Sequence, residues 1–165
     1  MNNTLIVYAS RHGTTSEYAK RIFQLLNGNV DLCFLNERAN SLPDLSVYST
    51  IVIGGSIHYG KNSKSVVKFV NDNLELLKTK RLGLFVTCHF EGDKALQQLR
   101  NAYPKVILDL AIVSDYFDGE LLFPKMNRWE RFITKLVLSR DEIRPIISRG
   151  KIEQFANKLQ SDNEI

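Results

Sequence analysis

Five short apolar runs recur along the chain, and the stretches between them carry apolar residues at helical spacing. The runs are Thr4–Ala9 (TLIVYA), Asn29–Leu35 (NVDLCFL), Thr50–Gly55 (TIVIGG), Arg81–Thr87 (RLGLFVT) and a fifth held within Lys105–Tyr116 (KVILDLAIVSDY). They are rich in β-branched and aromatic residues and continuously apolar, the pattern of parallel strands covered on both faces. Between them, SEYAKRIFQLL places Tyr18, Ile22, Leu25 and Leu26 on one helical face, with Gly28 just past the end. SLPDLSVY has room for one short helix, and SVVKFVNDNLELL reads as a single helix. GDKALQQLRNAY is a helix with Asp93 placed to cap it, and SRGKIEQFANKLQ is the last. Strands alternating with helices predict an α/β fold: a doubly wound, five-stranded parallel sheet of order 2-1-3-4-5, helices on both faces. At 165 residues the chain suits one domain, 1–165, with a sizeable core.

Several classes of function are set aside at this stage. Cys33 and Cys88 lie far apart and form no C-x-x-C, so neither a disulfide nor a metal site is expected. No signal-peptide pattern and no membrane-length apolar run is visible, and a cytoplasmic location is the expectation. The net charge of +4 points to an anionic ligand or surface. The basic residues are dispersed, so nucleic acid is not expected as a partner.

In an open parallel sheet, ligands bind beyond the carboxyl ends of the strands, where the strand order reverses. For order 2-1-3-4-5 the loops that matter are SRHGTT, GSIHYGKN and TCHFEGD. The first offers Ser10, Thr14 and Thr15 around Gly13 at the start of a helix, a setting for phosphate, with Arg11 and His12 beside it. A plain helix cap by Thr14 or Thr15 is the simpler alternative. The second loop, Gly55 to Asn62, comes within one residue of the nucleotide-triphosphate motif G-x-x-x-x-G-K-[ST]. Asn62 stands where the magnesium-binding hydroxyl is required, and Ile57, His58 and Tyr59 are bulky for a phosphate cradle. A tyrosine there suits a flat aromatic ring better. The third loop supplies Thr87, Cys88 and His89 for the polar edge of such a ring, and no orienting group for a nucleophilic thiol is evident. Together the three loops describe a site for FMN.

The stretch LIVYASRHGTTSEYAKRI, with S-x-x-G-x-T at Ser10, Gly13 and Thr15, resembles the first strand, phosphate loop and helix of flavodoxins. VIGGSIHYGKNSKSVVKFV resembles the flavodoxin-domain family that includes the quinone-dependent protoporphyrinogen IX dehydrogenases, where [AG]-S-I-x-Y-G follows the third strand. NRWERFITKLVL is similar to that family's tryptophan-containing segment. His12 and Thr14 depart from the usual flavodoxin pattern, which has Thr and Asn there. The resemblance implies a flavodoxin-like fold and non-covalent FMN. Ser10, Arg11, His12, Gly13, Thr14 and Thr15 would hold the phosphate. Ser56, Ile57, His58, Tyr59 and Gly60 would lie along the ring, and Thr87, Cys88 and His89 would close the other side. It also implies oxidation of a porphyrinogen in heme biosynthesis, with electrons passed to a quinone-type acceptor or a redox-protein partner; no catalytic side chain is assigned.

An extra amphipathic helical segment is expected near 124–140, with Trp129, Phe132, Ile133 and Leu136 on one face and Arg128 and Arg131 beside them. It is a candidate for substrate contact, or for peripheral contact with the inner face of the cell membrane. Two other functions fit the same fold: a flavodoxin-type electron carrier, and a non-catalytic module. The basic charge argues against the carrier, since flavodoxins are usually acidic and dock on basic partners.

Overall fold

A computed structural model describes residues 3–36, 41–119 and 149–161. The five long strands are β1 (Asn3–Tyr8), β2 (Asn29–Phe34), β3 (Thr50–His58), β5 (Arg81–Cys88) and β6 (Ala111–Asp118). All pair in parallel, in the order β2-β1-β3-β5-β6. This is the predicted 2-1-3-4-5 order once the two-residue β4 (Lys61–Asn62) is set aside. β4 pairs antiparallel with the end of β3, His58 opposite Lys61, and makes a hairpin. The hairpin was not anticipated.

The helices are α1 (Thr14–Leu25), α2 (Lys64–Asp72), α3 (Leu74–Leu77), α4 (Gly92–Ala102), α5 (Lys105–Leu110) and α6 (Arg149–Ser161), with a 3-10 turn at Leu45–Val47. Among the described residues none is long and apolar enough to cross a membrane. The segment expected near 124–140 lies outside the described residues.

Strand periodicity sorts the core into two layers. Leu5, Val7, Ile51, Ile53, Leu82 and Leu84 face one way, against Val66, Phe69 and Val70 of α2, Leu77 of α3 and Ile107 of α5. Ile6, Tyr8, Val52 and Phe85 face the other way, against Tyr18 and Ile22 of α1 and Ile152, Phe155 and Leu159 of α6. Tyr18 stacks on Phe117 of β6 at 4.7 Å, and Phe117 and Phe155 both meet Phe85. Gly54 makes this possible, because a Cβ there would sit 2.1 Å from the Phe85 ring. Tyr103 ties the central strands from the opposite layer. Its buried hydroxyl lies 3.0 Å from the Ile53 carbonyl and 2.8 Å from that of Phe85. Burial pushes this phenol well above its ordinary value.

Four local expectations are corrected. The apolar start of KVILDLAIVSDY is a helix, α5, because Pro104 fixes the turn before it and Lys105 pairs with Asp109 one turn on. Only Ala111 onward enters the sheet. SVVKFVNDNLELL breaks at Asn73, whose side-chain amide donates to the Phe69 carbonyl at 2.8 Å and competes with continued helix. Asp93 does not cap α4: the cap position is Glu91, without a side-chain hydrogen bond, and Asp93 sits in the first turn, where its charge faces the helix dipole. β2 is not covered on both faces; it lies at the end of the described order, with Leu32 and Phe34 exposed.

Gly54→Ala forces a methyl into the Phe85 ring. Urea unfolding should show a loss of about 1–3 kcal/mol, the usual range for overpacking. An unchanged midpoint would show that the ring moves aside freely.

Candidate functional site

β1, β3 and β5 end on the same side of the sheet, and the residues that follow them line one cleft. Ser10, Arg11 and His12 come from the β1–α1 connection, Thr14 and Thr15 from the first turn of α1, Ser56, Ile57 and His58 from the end of β3, and Thr87 and His89 from the end of β5 and the position after it. The space enclosed between these walls is about 30 Å³, and the rest of the cleft is open to solvent.

The first wall is built on a helix start. Gly13 is the cap residue of α1, with φ of 95°, and α1 has no side-chain cap hydrogen bond. The alternative of a cap by Thr14 or Thr15 is therefore not what forms. The Ser10 hydroxyl instead accepts from the Gly13 N–H at 2.9 Å, which curls the loop. The positive end of the helix dipole is thereby turned toward the cleft wall that Thr14 and Thr15 form. The Thr15 and Thr87 hydroxyls meet at 2.8 Å, both buried, and lock the first turn of α1 to β5.

The second wall answers the question posed by the near-match to a nucleotide-binding loop. Gly55 to Asn62 is strand, hairpin turn and return strand, and no helix begins at its lysine. Tyr59 (φ 50°) and Gly60 (φ 74°) form the two-residue turn, with both residues in the left-handed region. That geometry drives the Tyr59 side chain fully into solvent, at 101% exposure. Asn62, which stands where the motif needs a hydroxyl, is a structural brace. Its side-chain oxygen accepts from the Ser63 N–H at 2.8 Å, and its amide donates to the Ala102 carbonyl at 3.2 Å. Ser56 is nearly buried, its hydroxyl 3.2 Å from that of Ser63.

The third wall divides at Cys88. Thr87 and His89 line the cleft, whereas Cys88 turns into the core and its thiol donates to the Phe90 carbonyl at 3.4 Å. Burial pushes this thiol above its ordinary value. Of the fourteen residues singled out from sequence, Gly13, Tyr59, Gly60 and Cys88 do not line the cleft; the other ten do. One lining residue was missed. Gly119, just past β6, donates to the Cys88 carbonyl at 2.6 Å, and a Cβ there would lie 2.9 Å from that backbone. The Asp118–Gly119 turn signal after an apolar run was the only hint in the sequence.

No carboxylate lines the cleft among the described residues, while Arg11 and three histidines do. The His12 and His58 rings meet edge to face at 5.9 Å. His58 Nε2 is buried with no hydrogen-bond partner among the described residues. Burial, and then the charges of Arg11, His12 and His89, hold the His58 imidazole below its ordinary value. No group of His, Cys, Asp and Glu able to hold a metal ion is found among the described residues. A basic, hydroxyl-lined cleft with an orphaned imidazole and a helix start fits a ligand with a phosphate end.

Fold and site define an α/β protein of doubly wound flavodoxin topology, with its ligand cleft at the strand-order switch. The model for the family described as "Flavodoxin domain" matches residues 5–144, and the chain belongs to that family. Among solved structures, a WrbA-like flavodoxin from Agrobacterium tumefaciens is 15% identical with a TM-score of 0.58, the match covering 98% of this chain and 99% of that one. A short-chain flavodoxin associated with a non-canonical PDU bacterial microcompartment is 16% identical with a TM-score of 0.61, over 98% and 99%. Rubredoxin oxygen:oxidoreductase from Desulfovibrio gigas is 13% identical with a TM-score of 0.58, over all of this chain and 38% of that one. These likenesses show the fold. No curated protein matches the chain at a significant level.

The lowered His58 value has a consequence for stability. In the folded state this imidazole binds its proton less readily than in the unfolded chain, so the unfolded state takes up the proton first as pH falls. In buffer free of multivalent anions, stability should be full above about pH 6.5 and decline below it as the unfolded chain protonates. A ring-proton NMR titration should place the His58 midpoint below that of a free histidine. His58→Gln should flatten the acid side of the urea-midpoint profile; a profile unchanged by the substitution would remove His58 as its cause.

Proposed function

We propose that the cleft binds FMN non-covalently and that the protein is a flavin-dependent redox protein acting as one domain. The observation that supports this best is the convergence of three strand-end loops on one cleft with basic and hydroxyl-bearing walls. Membership of the flavodoxin-domain family points the same way. In this reading Ser10, Arg11, His12, Thr14 and Thr15, with the start of α1, hold the phosphate end. Ser56, Ile57, His58, Thr87 and His89 border the ring, Tyr59 and Gly60 form the turn after His58, and Gly13 and Cys88 act through the backbone they shape. FMN supplies hydride or electron transfer when bound. The chain's own part is to fix the ring's orientation and set the charge around it.

The finer reading is an oxidoreductase that takes electrons from a porphyrinogen and passes them to a quinone. Its support is the run Ser56-Ile57-His58-Tyr59-Gly60 and the tryptophan-containing stretch beyond residue 120. The positive charge of the chain suits the propionates of such a substrate, as it suits an anionic lipid surface. The carrier reading shares the same cleft. Tyr59 favours it in one respect, since a fully exposed aromatic offers a contact for a partner protein.

Added FMN should show quenched fluorescence and perturbed absorbance bands, saturating at one flavin per chain. Thr14→Glu, which sets a negative charge at the start of α1, should weaken FMN binding by about tenfold or more. Failure to bind FMN at micromolar concentration would leave a non-catalytic module. With FMN bound, porphyrin fluorescence appearing from protoporphyrinogen in the presence of a quinone marks the enzyme; a rate equal to the buffer control leaves the carrier.

A further inference from the structure

Between Asp44 and Asp72 the chain carries no carboxylate, while Lys61, Lys64 and Lys68 fall close together. The fold brings these three lysines to one open groove, bordered by β4, α2 and the end of α4. Lys64, Val67, Lys68 and Asn71 lie at i, i+3, i+4 and i+7, so they form one stripe of α2. All four are exposed, whereas Val66, Phe69 and Val70 of the same helix are buried in the core. Lys61 and Lys64 make no ion pair among the described residues, and Lys68 pairs with Asp72 one turn on. Asp72 is the one carboxylate on the groove among the described residues, so three cations face a single acid. The backbone that carries them is held in place. Asn62 donates to the Ala102 carbonyl and accepts from the Ser63 N–H, which ties β4 to the end of α4 and to the start of α2. Gly55 leaves room for that brace, because a Cβ there would lie 1.9 Å from the Asn62 side-chain oxygen. A surface set in advance loses little freedom when it is covered.

We propose that this groove docks an acidic segment of a partner protein, whose carboxylates meet Lys61, Lys64 and Lys68 and whose apolar part covers Val67. Charge complementarity names the partner's sign, and spacing names its form. Lys64 and Lys68 stand one helical turn apart, the spacing of carboxylates four residues apart on an acidic helix. The amides of Asn71 and Asn101 add donors and acceptors on the groove, which suit a protein segment. A lipid surface finds little to hold here, since Val67 is the one large apolar side chain that the groove exposes. The hairpin links this groove to the cleft: His58 lines the cleft, and Lys61, directly opposite it in the ladder, lines the groove. A docked segment therefore lies one strand away from the cleft wall. The inference stands on the groove's own residues and holds whatever ligand the cleft takes.

The probe is a synthetic helical peptide with Glu at i, i+4 spacing, titrated into the isotopically labelled full chain and followed by amide NMR at about 50 mM salt. Shifts should gather at Lys61, Lys64, Val67, Lys68, Asn71 and Asn101. Lys61→Glu combined with Lys64→Glu should weaken the peptide by about tenfold or more, and raising the salt to about 0.5 M should do the same. Lys20→Glu combined with Lys105→Glu alters net charge equally on α1 and α5, and should cost less than about twofold. All four positions are exposed, so both variants should keep the fold. Equal losses in the two variants would reduce the binding to net charge and overturn the proposal. Shifts scattered over the surface, or none at about 1 mM peptide, would overturn it too. Vesicles of phosphatidylserine and phosphatidylcholine are the rival probe: binding to them through Lys61 and Lys64, with the peptide inert, would assign the groove to lipid and sink the protein partner.

Discussion

The contact on which the rest of the structure depends is the Phe85 ring lying across Gly54. β3 and β5 are the central pair of the sheet, and their outer layer is held by one aromatic group. Phe85 touches Phe117 and Phe155, and Phe117 stacks on Tyr18. Through these rings α1, β6 and α6 are all referred to the same point in the sheet. Aromatic pairs in offset or edge-on contact favour particular relative orientations, which a purely aliphatic layer would leave freer. The position of α1 matters most, because its first turn is one wall of the cleft. Tyr18 in the core and the Thr15–Thr87 hydroxyl pair above it fix that helix at two heights.

The same arrangement explains the charge of the cleft. The carboxyl ends of parallel strands are bordered by helix starts, and the dipoles there already favour anions. This chain adds Arg11 and three histidines and places no carboxylate on the walls described. Among the described residues the ion pairs lie apart from the cleft walls, between neighbours on one helix or between Lys151 and Asp115. Such exposed pairs contribute little to stability. The apolar layers hold the fold, and the cleft carries unbalanced charge.

Sequence reasoning read the sheet correctly because continuous apolar runs have few other uses at that length. It placed ten cleft residues because strand order and the switch-point rule name the loops that must converge. Its misreadings share a physical cause. Lys105–Leu110 is apolar enough for a strand, and only Pro104 and the Lys105–Asp109 spacing speak for a helix. Where two residues that the resemblance puts at the site stand was beyond its reach: the two-residue hairpin turn decides that Tyr59 points into solvent, and strand alternation turns Cys88 into the core between Thr87 and His89.

By itself the sequence determined the α/β class, through apolar runs alternating with helical periodicity; the strand order and the three loops were read from the doubly wound arrangement that this rhythm fits. It also determined the family, through short motifs at the strand ends. Only the tertiary structure decided that Gly55 to Asn62 is a hairpin braced by Asn62, that Gly119 closes against Cys88, and that His12, His58 and His89 stand together. The reason is distance along the chain. Apolar pattern is local and legible within a dozen residues, whereas side chains tens of residues apart meet only through the packing that brings their strands side by side.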